Sequence, residues 1–250
     1  MSLETRHPHL LLSRPAVVLF DLDNTLYAYD PAHAAGMAAT RKKACALVGC
    51  TDEAFDQFFD QARREVKVQL VRNGAAHSRL LYFHRMVELF GMKSQPLLAL
   101  DLEQTYWRTF LGSAKLFPDV KEFLDELRSA GVVTGLITDL TTQIQFRKLI
   151  YFGLDHSFDY VVTSEEAGME KPSSAPYALM RRKLGETKGT LWMIGDNGET
   201  DIAGSREHLA AVTLQKRHVG VKIEGGERAP EIVFDEFAEL RRAFVKWGTS

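Results

Sequence analysis

Cysteine is nearly absent from this chain: Cys45 and Cys50 are the 2 cysteines in 250 residues. Their spacing matches neither a redox pair nor a zinc motif, which argues against a disulfide framework and a thiolate metal centre. They read as reduced packing residues in a helical region of a cytoplasmic protein. No apolar run approaches the roughly 20 residues of a membrane span, and Leu10-Leu11-Leu12 is too short for a secretory h-region. Neither sign of charge dominates. There are 31 basic and 33 acidic residues, with a formal net charge of -2. Without a basic stripe or polybasic segment, neither nucleic acid nor a membrane surface is an expected partner. No internal repeat or low-complexity stretch appears. His7 and His9 read as part of a leader, not as a metal site. The composition leaves a soluble globular protein, monomer or homodimer.

Six short apolar runs suggest strands: Val17 to Asp21, Val133 to Thr138, Tyr160 to Thr163, Leu191 to Gly195, Ala211 to Leu214 and Ile232 to Phe234. Helical patterns separate them. Val120, Phe123, Leu124 and Leu127 mark one helix, and Thr142 to Phe152 with Gly153 as its C-cap marks a second. A third runs from a Ser174 cap through Leu184, and a last one carries Phe237, Leu240 and Phe244. Alternating strands and helices predict an α/β fold, a Rossmann-like doubly wound parallel sheet.

Between Asp30 and Gly112 the alternation stops. Asp30-Pro31 is a helix start. The sets Phe55/Phe58/Phe59/Ala62/Val66, Leu80/Phe83/Val87/Phe90 and Leu98/Leu102/Tyr106/Phe110 mark three apolar helical faces. The reading is a core of residues 1–29 and 113–250, with a small all-helical cap domain, 30–112, inserted after the first strand. Tyr27 to Asp30 and Gly112 to Pro118 would be the linkers.

The chemistry concentrates at strand ends. The first strand ends in Asp21-Leu22-Asp23-Asn24-Thr25, two carboxylates one residue apart where open α/β sheets bind ligands. The acids could be turn or capping residues, but charge at a buried strand end normally needs a cation or a function. Thr138 ends the second strand, where it can cap a turn or donate to a phosphate. Lys171 is pinned in a loop by Pro172. Asp196 and Asp201 follow the strand ending at Gly195, and carboxylates of this kind suit Mg2+.

Asp-x-Asp-x-Thr, a strand-end threonine, Lys-Pro and Gly-Asp-x-x-x-x-Asp, in that order, resemble the four motifs of the haloacid dehalogenase (HAD) superfamily, over Val17 to about Asp201. The resemblance implies a Mg2+-dependent phosphatase. Asp21 would be the nucleophile that forms an aspartyl-phosphate, and Asp23 the general acid and base. Asp21, Asp196 and the backbone carbonyl of Asp23 would bind Mg2+, with Asp201 supporting them. Thr138, Lys171 and the amides of Leu22 and Asp139 would hold the phosphoryl oxygens. Asp23 favours phosphoryl transfer, because the family's dehalogenases typically carry a non-acidic residue there and need no metal. Asp139 departs from the common asparagine, and only its amide is expected to face the site. The expected substrate is a small metabolite, a sugar phosphate or nucleoside monophosphate. Arg72 and Arg79, near the loop between the second and third cap helices, are candidates to grip a second anionic group. The alternatives are a 2-haloacid dehalogenase, a phosphotransferase and a non-catalytic metabolite-binding module.

Overall fold

The computed structural model describes residues 3–5 and 14–246. His7, His9 and Leu10 to Leu12 lie outside these. The chain divides into two compact units, one of residues up to Ala28 and from Lys115 onward, the other of Tyr29–Ala114.

The first unit is built on seven strands, β1 (Glu4–Thr5), β2 (Val17–Phe20), β3 (Val133–Thr138), β4 (Tyr160–Thr163), β5 (Leu191–Gly195), β6 (Val212–Lys216) and β7 (Ile232–Phe234). They form one sheet in the order β1-β7-β6-β5-β2-β3-β4. All pairings are parallel except that of β1 with β7. The six strands read from the sequence are present. β6 is shifted from the expected Ala211 to Leu214 and ends in the buried polar pair Gln215 and Lys216. β1 was not foreseen, since two residues carry no periodicity.

Tyr29–Ala114 holds four α-helices, α1 (Tyr29–Val48), α2 (Asp52–Gln69), α3 (Arg79–Leu89) and α4 (Pro96–Ser113), with a 3-10 turn at Gly74–His77 between α2 and α3. Thr51 caps α2 through the amide of Ala54, Ser78 caps α3 through that of Leu81, and Pro96 opens α4. Their buried faces meet in an aromatic core of Phe55, Phe59, Tyr82, Phe83, Tyr106, Trp107 and Phe110. Gly36 lets α1 approach α4 closely, because a Cβ there would lie 3.0 Å from the Tyr106 ring and 3.1 Å from its carbonyl oxygen. Cys45 lies on α1 and Cys50 just beyond it, both free and half-buried. No helix among the described residues is long and apolar enough to cross a membrane.

The sheet unit adds α5 (Val120–Ser129), α6 (Thr142–Phe152), α7 (Ser164–Ala167), α8 (Ser174–Leu184), α9 (Gly204–Leu209) and α10 (Phe237–Lys246). Ser174 is the first residue of α8, not its cap. Ser173 occupies the cap position and makes no side-chain cap bond. Every residue of β2 is buried, so the strand needs cover on both faces. Val17 and Leu19 cluster with Tyr177 and Met180 of α8. Phe20 meets the Phe123 ring of α5 edge-on at 6.2 Å. Alternate β2 side chains thus face opposite helical layers. Each such buried large side chain stabilises the unit by about 1.5–3 kcal/mol.

This winding decides where ligands go. From β2 the chain builds outward through β3 and β4, then crosses back to build β5, β6 and β7 on the other side. The switch point lies at β2, and the crevice at the carboxyl ends of β2, β3 and β5 is the natural binding place. The chain leaves and re-enters this unit side by side, since Tyr27 pairs with Leu116 and the Phe117 amide donates to the Leu26 carbonyl at 2.8 Å.

Candidate active site

Asp21 follows the last residue of β2, and its amide continues the pairing onto the Ile194 carbonyl at 2.9 Å. Its buried carboxylate accepts from Lys171 Nζ at 2.8 Å and from the hydroxyl of fully buried Thr25 at 3.0 Å. Thr25 Oγ1 also lies 3.4 Å from Asp196 Oδ1. The threonine of the first motif therefore ties the ends of β2 and β5 together.

Asp196 and Asp201 stand on the turn after β5. Asn197 shapes that turn, its side chain accepting from the amides of Glu199 and Thr200 at 2.9 and 3.1 Å. Asp201 then faces back, and its Oδ2 accepts the amides of Asp196 at 3.2 Å and Asn197 at 3.1 Å. Its Oδ1 takes Lys171 Nζ at 2.6 Å. Gly195 is required for this close approach, because a Cβ there would fall 2.3 Å from Asp201 Cβ.

Oxygens of Asp21, Asp196 and Asp201 all lie within 4.8 Å of one another. Burial pushes the Asp21 carboxyl up to about 7, with Lys171 lowering it and Asp201 adding repulsion. Burial, then repulsion from Asp201 and Asp21, pushes Asp196 up to about 8. Lys171 is buried, which works against its charge, but Asp201, Asp21 and Asp139 hold its ammonium well above the usual lysine range. One lysine among these acids leaves net negative charge. A hard divalent cation offsets such charge, and no histidine or cysteine belongs to the cluster to favour a softer metal. The donor set of these three carboxylates fits Mg2+. Asp21 and Asp201 each have both carboxylate oxygens engaged by protein donors.

Thr138 ends β3 and is buried. Gln145 of α6 donates Nε2 to the Thr138 hydroxyl oxygen and to the Asp139 carbonyl, both at 2.6 Å. Among the described residues the Thr138 hydroxyl proton meets only the Asp139 carbonyl, at 3.5 Å. The Asp139 carboxylate accepts the Lys171 backbone amide at 3.1 Å and is pushed up to about 6 by burial. Leu22 is fully buried between the two motif aspartates.

Asp23 stands apart from the three clustered acids. Tyr27 donates its hydroxyl to Oδ1 at 2.5 Å, and Lys148 Nζ reaches both carboxylate oxygens at 2.7 and 2.8 Å. The Lys148 side chain has no exposed surface, while that of Asp23 keeps 29%. Sequence reading missed Lys148 and Gln145. The available signal was their place on the buried stripe Ile144, Gln145, Lys148, Leu149 and Phe152 of α6, where a lysine and a glutamine are out of character.

The two arginines differ. Arg72 is exposed, with φ at 55°, in the turn after α2. Arg79, the first residue of α3, is buried within the aromatic core of the helical unit.

Comparison with known proteins agrees with this geometry. The family model for haloacid dehalogenase-like hydrolases matches residues 15–208. A ribulose-1,5-bisphosphate 5-phosphatase of Halopiger xanaduensis is 44% identical over 189 residues, 75% of this chain and 79% of that protein. A glyceraldehyde 3-phosphate phosphatase of Methanopyrus kandleri is 29% identical over 225 residues, 89% of this chain and 94% of that protein. Among solved structures, a 2-haloacid dehalogenase of Pseudomonas syringae superposes with a TM-score of 0.70 at 23% identity, covering 94% of this chain and all of that one, a likeness of fold. The chain belongs to the haloacid dehalogenase-like hydrolase family.

Proposed function

We propose that this chain is a Mg2+-dependent phosphatase of small sugar phosphates, working through an aspartyl-phosphate at Asp21. The observation that carries the reading is the clustering of Asp21, Asp196 and Asp201 beside one buried lysine, with Asp23 separately held. The two relatives are named for a sugar bisphosphate and a triose phosphate, which favours the sugar over the nucleotide alternative.

In this reading one carboxylate oxygen of Asp21 attacks phosphorus, the bond to the leaving oxygen breaks, and Asp23 gives that oxygen its proton. Asp23 then takes a proton from the water that hydrolyses the acyl phosphate, restoring the Asp21 carboxylate and releasing phosphate. Lys171 and the Thr138 hydroxyl bind the transferring phosphoryl oxygens. Thr25 and Lys171 hold the Asp21 carboxylate for attack. Bound Mg2+ would offset the repulsion between a carboxylate and a phosphate dianion. The helical unit, read as the cap, would set substrate choice.

The dehalogenase reading is weaker because Asp23, an acid with two donors fixing it, has no task when halide leaves carbon. The test is phosphate release from ribulose-1,5-bisphosphate, glyceraldehyde 3-phosphate, AMP and p-nitrophenyl phosphate, with Mg2+ or EDTA. Mg2+-dependent release favouring the sugar esters is expected. Metal-independent halide release from a 2-haloacid, or no turnover of any ester, would overturn it.

A further inference from the structure

By spacing, Cys45 and Cys50 match no redox or metal motif, yet the fold of the helical unit brings them into contact. Gly49 ends α1 with a left-handed φ of 76°, and its amide donates to the Cys45 carbonyl at 2.9 Å. In this kind of helix cap the residue after the glycine folds back onto the residue five places before it, where an apolar contact commonly forms. Here those two positions are Cys50 and Cys45. Their Sγ atoms lie 3.2 Å apart, the Cys50 thiol donating to the Cys45 sulfur. Thr51 follows at once as the N-cap of α2, its side chain accepting from the Ala54 amide at 3.2 Å. Two consecutive caps therefore fix the backbone on both sides of Cys50.

The surroundings favour a bond between the sulfurs over a metal. Cys45 Sγ lies 3.5 Å from the Thr51 carbonyl and 3.7 Å from Asp52 Oδ1. Among the described residues the two thiols belong to no group of three metal-ligating side chains. One turn earlier on the same face of α1, Arg41 pairs with Asp56 of α2 at 2.7 Å. The cysteines thus continue the α1–α2 seam to its corner. Both are free and half-buried, so a small reagent reaches them. Their sulfurs need close by only about an ångström to reach the roughly 2.05 Å of a bond. Burial, then the Cys50 thiol and Asp52, push the Cys45 thiol up to about 12, so it stays protonated at neutral pH. Cys50 is therefore the thiol that begins an exchange.

We propose that Cys45 and Cys50 form an oxidation site, a dithiol that closes to an intramolecular disulfide by exchange with a low-molecular-weight disulfide. The Cys50 thiolate attacks one sulfur of that reagent, and the other sulfur leaves as a thiolate. Cys45 then gives up its proton and attacks Cys50 Sγ, which releases the second thiolate. The two protein thiols lose two electrons and two protons between them, and the reagent is reduced to two thiols. Because Cys45 already touches Cys50, closure outruns addition of a second reagent molecule. The bond ties the end of α1 to the start of α2 and restricts the unfolded chain.

The test incubates the full chain with oxidised and reduced glutathione at set ratios, quenches with acid, and reads the thiols by maleimide labelling and intact mass. The expected product is a single chain two hydrogens lighter, with no labelled thiol and a peptide crosslinking positions 45 and 50. Its melting temperature should lie a few degrees above that of the reduced protein, and dithiothreitol should reverse the rise. Cys45→Ser should stop at one glutathione adduct on Cys50, with no such rise. Cys50→Ser, left with the protonated Cys45, should react more slowly than Cys45→Ser. Wild-type protein that holds glutathione on either cysteine without closing would overturn the proposal. So would crosslinking between chains, a closed form that melts no higher than the reduced one, or two free thiols at ratios that oxidise the same chain in denaturant.

Discussion

Lys148, with no exposed side-chain surface, contacts both carboxylate oxygens of Asp23 at 2.7 and 2.8 Å, across 125 positions of sequence. It joins the buried face of α6 to the end of β2. A lysine placed there fixes the orientation of the proposed general acid more firmly than the Tyr27 hydroxyl can alone.

Lys148→Met should therefore lower kcat more than it raises KM. The loss should be roughly ten- to hundred-fold for alkyl phosphates, a fraction of what general acid catalysis supplies. It should be smaller for p-nitrophenyl phosphate, whose leaving group needs little protonation. Steady-state kinetics on the two ester types reads this difference. An equal loss on both would assign Lys148 to stability only.

Lys171→Met removes the cation shared by Asp21 and Asp201, whose side chains are 9% and 1% exposed. Breaking a buried ion pair costs about 3–5 kcal/mol. The variant should be inactive and should melt below the wild type, and added Mg2+ should recover part of the melting temperature by replacing the lost positive charge. Wild-type thermal stability in this variant would contradict the ion-pair network.

Gly195→Ala places a Cβ 2.3 Å from that of Asp201. The turn must move, at a cost of about 1–3 kcal/mol for overpacking, and Asp201 loses its two amide donors. Weaker Mg2+ binding, read by calorimetry, should accompany the loss in melting temperature.

The raised carboxyls set a pH dependence for the metal-free protein. Asp21 at about 7 and Asp196 at about 8 both lie above the ordinary value of 3.8. Each binds protons more tightly folded than unfolded. Their contribution to stability is full below the unfolded value and is lost as pH rises through 7 and 8. The melting temperature in EDTA should fall across that window, and saturating Mg2+ should flatten the profile. Mg2+ binding should release protons near pH 7. A metal-free melting temperature that rises between pH 6 and 8 would contradict the mutual repulsion of these acids.

The parallel strands and the four motifs were legible because buried strands are continuous apolar runs and their acids interrupt them abruptly. Where polar residues are buried, the reading lost its signal. Gln215 and Lys216 carry β6 past its apolar run, and Gln145 and Lys148 are polar side chains on the buried stripe of α6 that the apolar periodicity does not single out. Asp139 shows a related limit. Sequence singles it out as an extra acid, but only the fold brings the Lys171 amide to its carboxylate. Arg79 was picked out for its place near a loop, and its burial among aromatic rings depends on contacts between α1, α3 and α4.

The central claim is that Asp21 carries the phosphoryl group. Quenching the enzyme in acid during steady turnover, reducing any acyl phosphate with borohydride and sequencing the peptides by mass spectrometry tests it directly. Homoserine at position 21, absent in Asp21→Asn and absent without substrate, is the expected result. Sustained turnover with position 21 unmodified, or activity surviving in Asp21→Asn, would contradict the account.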